Sequence, residues 1–127
     1  MKNDRSFLKC AVCGNIIEMV EDAGPRVVCC GQKMDLLTPN TTDAAREKHV
    51  PVAVRNGSEV EVRIGSEPHP MTEPHHTSWI LWAGEGWEQR TTLQSTGEPK
   101  ALFSVKGDAP ISVYAYCNLH GLWATEL

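Results

Sequence analysis

Residues 116–121, YCNLHG, place the thiol of Cys117 and the imidazole of His120 three positions apart, at the end of a run that is typical of a strand. Both side chains are good ligands for transition metals. A single C-x-x-H pair is weak evidence for a metal site, because short motifs occur by chance. Its weight comes from the other histidines, all of which lie beyond residue 48: His49, His69, His75 and His76.

The other four cysteines are grouped near the N-terminus, as Cys10-x-x-Cys13 and the adjacent pair Cys29-Cys30. A C-x2-C turn directs two sulfur atoms to one point, and the second pair completes a four-sulfur set. A module of about 37 residues cannot bury enough apolar surface to fold unaided, so a bound metal supplies the missing stability. Four thiolates suit zinc or iron equally, and two disulfides are the alternative. Adjacent ligands are unusual for a zinc ribbon, and we expect them to strain the tetrahedron.

The composition of the whole chain excludes several classes of function. The 127 residues carry a net charge of −4, and no basic stripe is present, so nucleic acid is not an expected partner. No apolar run of about 18 residues is present to span a membrane. The N-terminus lacks the apolar core of a signal peptide, which predicts a cytoplasmic protein. Five cysteines in a cytoplasmic chain favour metal binding over disulfides.

A polar stretch at residues 38–42, TPNTT, breaks regular structure and predicts a domain boundary. Residues 1–37 form the metal module and residues 38–127 the second domain. In the second domain Val60, Val62 and Ile64 alternate with charged residues, as in a half-buried strand. Six or seven such strands with turns about every 10 residues predict a mainly β fold, in which the second domain is a small immunoglobulin-like antiparallel β-sandwich.

A short helical turn is expected over residues 44–48, with Thr42 or Asp43 as its cap. Pro51 limits this turn, since the residue before a proline is disfavoured in the helical region. His49 therefore lies at its exit, just before an extended run. On sequence alone, the neighbouring Glu47 and Lys48 are typical of a solvated surface pair.

The remaining metal-ligand candidates fall into three loops of the predicted sandwich. His49 precedes the first strand, His69 and His75 lie in a loop stiffened by prolines, and Cys117 and His120 lie in the last turn. Four imidazoles and one thiolate are too many for a closed tetrahedral zinc site. They suit an ion with five or six positions: four nitrogens in a plane, sulfur below and an open position opposite. Zinc bound by three of the five groups and copper are the alternatives.

The spacing of these ligands resembles a known family. The four cysteines resemble desulforedoxin, a small rubredoxin-like iron module. Residues 47–51, residues 68–71, His75 and residues 116–121 resemble the superoxide reductase domain, and the whole chain resembles the desulfoferrodoxins, the two-iron superoxide reductases. The resemblance implies two irons per chain. One is held by Cys10, Cys13, Cys29 and Cys30, and the catalytic one by His49, His69, His75, Cys117 and His120; His76 is left out.

The resemblance also implies a mechanism, the one-electron reduction of superoxide to hydrogen peroxide. Lys48 draws superoxide to the open position and helps to supply a proton, and Glu47 binds the ferric iron after turnover. The thiolate of Cys117 pushes electron density towards the bound oxygen ligand. Backbone amides near Asn118 and Leu119 are expected to hydrogen-bond its sulfur.

The partners implied are superoxide as substrate, a rubredoxin-like electron donor and a second copy of the chain in a homodimer. The four-cysteine iron either relays electrons or is structural. Two rival functions stay open at this point. One is a two-iron electron carrier without substrate chemistry, and the other is an interaction protein stabilised by zinc.

Overall fold

The computed structural model describes residues 3–105 and 107–127, which form two compact units. One contains residues 4–38, and the other contains residues 39–127 together with Asn3. The predicted mainly β class is confirmed, since twelve strands accompany a helix of four residues among the described residues. Across these same ranges, no helix is long and apolar enough to cross a membrane.

The smaller unit contains five short strands. They are β1 (Phe7–Lys9), β2 (Ile16–Glu18), β3 (Val28–Cys29), β4 (Gln32–Lys33) and β5 (Asp35–Leu37). The first, second and fifth form an antiparallel sheet in the order β2-β1-β5. Its core cluster is small and consists of the buried residues Leu8, Cys10 and Met34. A cluster of this size agrees with the expectation that this unit depends on a bound metal for stability.

The remaining two strands of this unit, β3 and β4, form a hairpin whose loop is Cys30-Gly31. Both loop residues have positive φ, 52° at Cys30 and 78° at Gly31. Two-residue hairpin loops favour this conformation, because its twist matches that of the flanking strands. Cys30 is not glycine, so this backbone is strained at a predicted metal ligand.

The larger unit contains a four-residue helix and seven strands. They are α1 (Arg46–His49), β6 (Pro51–Asn56), β7 (Glu59–Ile64), β8 (Thr77–Gly84), β9 (Trp87–Thr92), β10 (Lys100–Ser104), β11 (Ser112–Cys117) and β12 (Gly121–Glu126). The strands form two antiparallel sheets, β10-β7-β6 and β12-β11-β8-β9. The two sheets pack face to face, so the predicted antiparallel β-sandwich is confirmed.

The core of the sandwich consists of inward-facing residues from both sheets. The first sheet contributes Val60, Val62, Ile64 and Phe103, and the second contributes Ile80, Trp82, Val113 and Ala115. The alternation in β7 therefore marks its buried face, as predicted. The rings of Trp82 and Phe103 stack across the interface with their centroids 3.9 Å apart.

The helix α1 begins later than the sequence predicts. Its N-cap is Ala45, which has an extended backbone and makes no side-chain capping bond, so the prediction of Thr42 or Asp43 as the cap is wrong. No side chain caps the helix, and backbone hydrogen bonds from Gly65 and Glu67 hold it instead. It ends at His49 because Val50 precedes Pro51 and is extended, with φ −68° and ψ 122°.

Replacing Phe103 by alanine tests the packing of the sandwich. We expect F103A to lower the free energy of unfolding by about 3–5 kcal/mol, since it opens a cavity beside Trp82. The control is L102A on the same strand, because Leu102 is 62% exposed whereas Phe103 is 6% exposed. We expect L102A to change stability by about 0.5 kcal/mol or less. Urea unfolding of both variants is the measurement, and equal losses would contradict the assigned inner face.

Candidate metal centres

The four cysteines of the smaller unit form a compact cluster. Their sulfur atoms all lie within 4.8 Å of one another, and each cysteine is a free thiol. The distance from Sγ of Cys13 to Sγ of Cys29 is 3.7 Å, and from Cys29 to Cys30 it is 4.0 Å. An ideal tetrahedron with metal–sulfur bonds of about 2.3 Å has edges of about 3.8 Å. The cluster therefore fits one tetrahedral metal ion.

The hairpin conformation explains how adjacent cysteines serve one ion. Neighbouring side chains of a regular strand point to opposite faces. The positive φ of Cys30 breaks this alternation, so its sulfur lies on the same side as that of Cys29. The strain expected from adjacent ligands is thus taken up in the backbone of one residue.

Electrostatics at this cluster also favour a cation. A hydrogen bond from the backbone N–H of Cys13 to Sγ of Cys10, 3.5 Å long, lowers the pKa of Cys10 to about 6. Hydrogen bonding among the sulfurs, with Cys13 first, raises the pKa of Cys30 to about 12. The raised pKa of Cys30 therefore opposes its ionisation in this cluster, and a metal ion would favour the thiolate.

The second cluster lies in the larger unit and draws its residues from three loops. His49 ends α1, His69 and His75 lie between β7 and β8, and Cys117 ends β11, with His120 in the next turn. Donor atoms of His49, His69, His75 and Cys117 lie within 4.8 Å of one another. Nδ1 of His120 lies 3.1 Å from Nε2 of His49 and 3.8 Å from Sγ of Cys117. The fold thus brings together all five residues that the sequence predicts for this centre.

The four imidazoles stand at the corners of an approximate square. In the order His49, His69, His75 and His120, neighbouring ring centroids are 4.7, 4.9, 5.1 and 4.8 Å apart, and neighbouring planes cross at 75–88°. Across one diagonal, His49 and His75 are 6.3 Å apart with planes within 29° of parallel. Two nitrogens bound at right angles to one ion, with bonds of about 2.1 Å, would be about 3.0 Å apart. The 3.1 Å separation of Nε2 of His49 and Nδ1 of His120 fits that arrangement.

Hydrogen bonds determine which nitrogen of each ring is free. Nδ1–H of His49 donates to the carbonyl of Ala45 over 2.6 Å, and Nδ1–H of His69 donates to the carbonyl of Pro70 over 2.7 Å. A carbonyl cannot donate, so the lone pair in both rings is on Nε2. Nε2 of His69 and of His75 are buried without a hydrogen-bond partner. Buried nitrogens without a hydrogen-bond partner, close to the other donor atoms of the cluster, fit a metal ion, which would satisfy them.

Burial sets the protonation of these groups. Loss of solvent lowers the pKa of His49 and of His75, and that of His69 to about 4, so these imidazoles are neutral at pH 7. The neutral imidazole is the form that binds metals. Burial raises the pKa of Cys117, against hydrogen bonds from the backbone N–H groups of Leu119 and His120. A cation would favour its thiolate.

Of the two backbone amides expected from the sequence near Sγ of Cys117, those of Asn118 and Leu119, only the second is found there. The N–H groups near Sγ of Cys117 belong to Leu119 and His120. The N–H of Asn118 instead donates to the carbonyl of His76 over 3.2 Å. His76 itself turns away from the cluster, because its Nδ1–H donates to the carbonyls of Thr72 and Glu73 over 2.9 and 3.1 Å.

Trp123 contacts two of the predicted metal ligands, His49 and His120, and the sequence did not identify it as part of the site. Its ring stacks on that of His49 at 4.9 Å and 26°, and its Nε1–H donates to the carbonyl of His120 over 3.1 Å. The residue is 1% exposed. In the sequence it reads only as an apolar strand residue, and its proximity to His49 depends on how distant segments pack.

Glu47 and Lys48 are exposed side chains on a firmly held backbone. The carbonyl of Glu47 accepts the N–H of Glu67 over 2.9 Å and the hydroxyl of Ser66 over 3.3 Å. Gly65 permits this contact, since a Cβ there would collide with the carbonyl of Glu47 and Cα of Lys48. The two side chains therefore reach solvent from a fixed position beside His49.

Comparison with known proteins agrees with both clusters. The desulfoferrodoxin model matches residues 41–126, and the model of the desulfoferrodoxin N-terminal domain matches residues 3–37. A desulfoferrodoxin homolog of Archaeoglobus fulgidus is 50% identical over 115 residues, 91% of each chain. The crystal structure of the superoxide reductase from Treponema pallidum is similar with a TM-score of 0.78 at 33% identity, covering 96% of this chain and 98% of that one. The chain belongs to the desulfoferrodoxin family.

Proposed function

We propose that this protein is a superoxide reductase, which reduces superoxide to hydrogen peroxide at an iron ion held by His49, His69, His75, Cys117 and His120. The observation that carries this proposal is the square of four imidazoles with a thiol beside it. An iron held by these five donors would have room for one small ligand if it takes six, and an open position is typical of a site of chemistry. When bound, the iron supplies the single electron that the reduction needs.

The substrate is a small anion, whereas residues 38–127 carry a net charge of −4. The charge of the unit as a whole therefore does not attract superoxide, and local positive charge must guide it. Lys48 is suited to this role because it directly precedes His49 in the chain and its side chain is exposed. The same group assists delivery, through water, of one of the two protons that each superoxide takes up on becoming hydrogen peroxide.

Two further side chains complete the site. Glu47 extends an exposed carboxylate beside Lys48, and this carboxylate would serve as a ligand of the oxidised iron once the product has left. Cys117 would bind the iron as a thiolate and donate electron density to it. The two N–H groups at its sulfur moderate that donation.

The four-cysteine cluster has a different role in this proposal. Cys10, Cys13, Cys29 and Cys30 would hold the other iron through four sulfur atoms, which would leave no position for a substrate. That iron exchanges electrons or stabilises its small unit. A rubredoxin-like protein is the proposed electron donor, and the proposed form is a cytoplasmic homodimer.

Product stoichiometry tests the activity. We expect two irons per chain and one hydrogen peroxide for each superoxide consumed by the reduced protein, without release of dioxygen. A dismutase would give one peroxide for two superoxides, with dioxygen. Iron content, peroxide yield and an oxygen electrode are the measurements. A two-iron protein that ignores superoxide would be an electron carrier, and a colourless zinc protein would be structural; either result contradicts the proposal.

Replacing Lys48 tests electrostatic guidance. We expect K48A to slow the bimolecular capture of superoxide about 10-fold at low salt and to flatten its dependence on ionic strength, because local attraction is lost. K48R should retain most of the rate. Pulse radiolysis at several salt concentrations is the measurement. The matched control is R46A, which removes another exposed cation of α1; an equal loss in R46A would assign the effect to general charge.

Replacing Glu47 tests the final step. We expect E47A to leave superoxide capture within about 2-fold of the parent, since an anion at this position does not attract the substrate. The optical spectrum of the resting ferric protein should change, because a carboxylate is lost from the open position. Glu67 is a nearby exposed carboxylate, so E67A is the control. A ferric spectrum that is unaltered in E47A, or altered equally in E67A, would sink the assignment.

A further inference from the structure

Asn118 connects the two loops that hold four of the five proposed donors. One loop, between β7 and β8, carries His69 and His75, and the other begins at Cys117 and carries His120. Asn118 lies in the second loop and bonds to the first through its side chain and its backbone. It is half-buried and is no member of either cluster of potential ligands.

The contacts of Asn118 flank His75 on both sides. Oδ1 accepts the N–H of His76 over 2.9 Å, and Nδ2 donates to the carbonyl of Pro74 over 3.0 Å. The backbone N–H of Asn118 also donates to the carbonyl of His76 over 3.2 Å. Three hydrogen bonds thus fix the main chain before and after His75 against the residue that follows Cys117.

A primary amide is suited to this place. It offers an acceptor and a donor side by side, as a peptide group does, and here both are used. The ladder between β8 and β11 is irregular just before it, because the register shifts between Tyr116 and Cys117, and Cys117 pairs with Thr77. The side chain of Asn118 therefore continues the pairing beyond the point where the regular strand ends.

We propose that Asn118 is a positioning residue, which fixes the distance between the imidazole of His75 and the sulfur of Cys117. The inference rests on the proposed function, since the iron held by the histidines and Cys117 is part of it. Held by Asn118, Nε2 of His75 stays aimed into the cluster, where it is buried without a partner. Freed from it, the loop relaxes and the cluster loses its preformed geometry. Residues that orient metal ligands typically change metal affinity about 10–100-fold when replaced.

A second anchor of the same loop provides a matched control. The hydroxyl of Ser95 donates to Oε1 of Glu73 over 2.7 Å. It holds the loop from the segment that follows β9, and so does not relate His75 to Cys117. The variant S95A removes one side-chain hydrogen bond from the loop but leaves the bridge at Asn118 in place.

The test compares N118A, N118D and S95A with the parent as full-length, iron-loaded proteins. Two quantities are measured: the rate at which a ferrous chelator removes iron from the second centre, and the thiolate-to-iron absorption band of the ferric form. We expect N118A to release iron about 10–100-fold faster and to shift or weaken that band. N118D keeps the acceptor and loses the donor, so we expect a smaller change. S95A should stay within about 2-fold of the parent, with an unaltered band.

The outcomes separate this inference from the proposed function. Release and spectrum unchanged in N118A, or an equal change in S95A, would overturn the role of Asn118 while the activity stood. A parent that binds no iron beyond its four-cysteine centre would overturn both. Circular dichroism accompanies the measurements, and loss of the strand signal in both Asn118 variants would also contradict a local positioning role.

Discussion

Nitrogens of four imidazoles and one sulfur converge in a partly buried site of the larger unit. Buried polar atoms without hydrogen-bond partners are unfavourable, and Nε2 of His69 and of His75 have no such partner. A bound metal ion would satisfy these nitrogens and so offset the unfavourable free energy of burying them. The site must therefore be held in place by groups that bind no metal, because an unsatisfied cluster would otherwise relax.

The supporting groups act on the rings of the histidines and on the backbone of the loops. The carbonyls of Ala45 and Pro70 orient two of the rings, Trp123 packs against one ring and holds the next, and Asn118 connects two loops. The rigid sandwich behind them supplies the fixed reference. Such support holds ligands from three separate segments of the chain in a precise relative geometry.

The two centres differ in the number and type of their donor atoms, and this difference separates a closed metal site from one that can take a substrate. Four thiols around one point close a tetrahedron, and the backbone of Cys30 accepts strain to complete it. Four imidazoles and a thiol would leave one position open on an ion that takes six ligands, and the proposed function places the substrate there. The exposed Glu47 and Lys48 stand beside this second cluster, where charge can act on an entering ligand.

Local sequence patterns determined the identities of the clustered cysteines and histidines, the buried face of β7 and the end of α1 before Pro51, because spacing, alternation and proline act over a few residues. They failed at the start of α1, where Ala45, which makes no side-chain capping bond, is the N-cap in place of the expected Thr42 or Asp43. Only the tertiary structure decided the order of the imidazoles, their free nitrogens and the contacts of Trp123 and Asn118. Such features join segments as distant as His49 and His120, 71 positions apart, and no local pattern encodes the packing that brings them together.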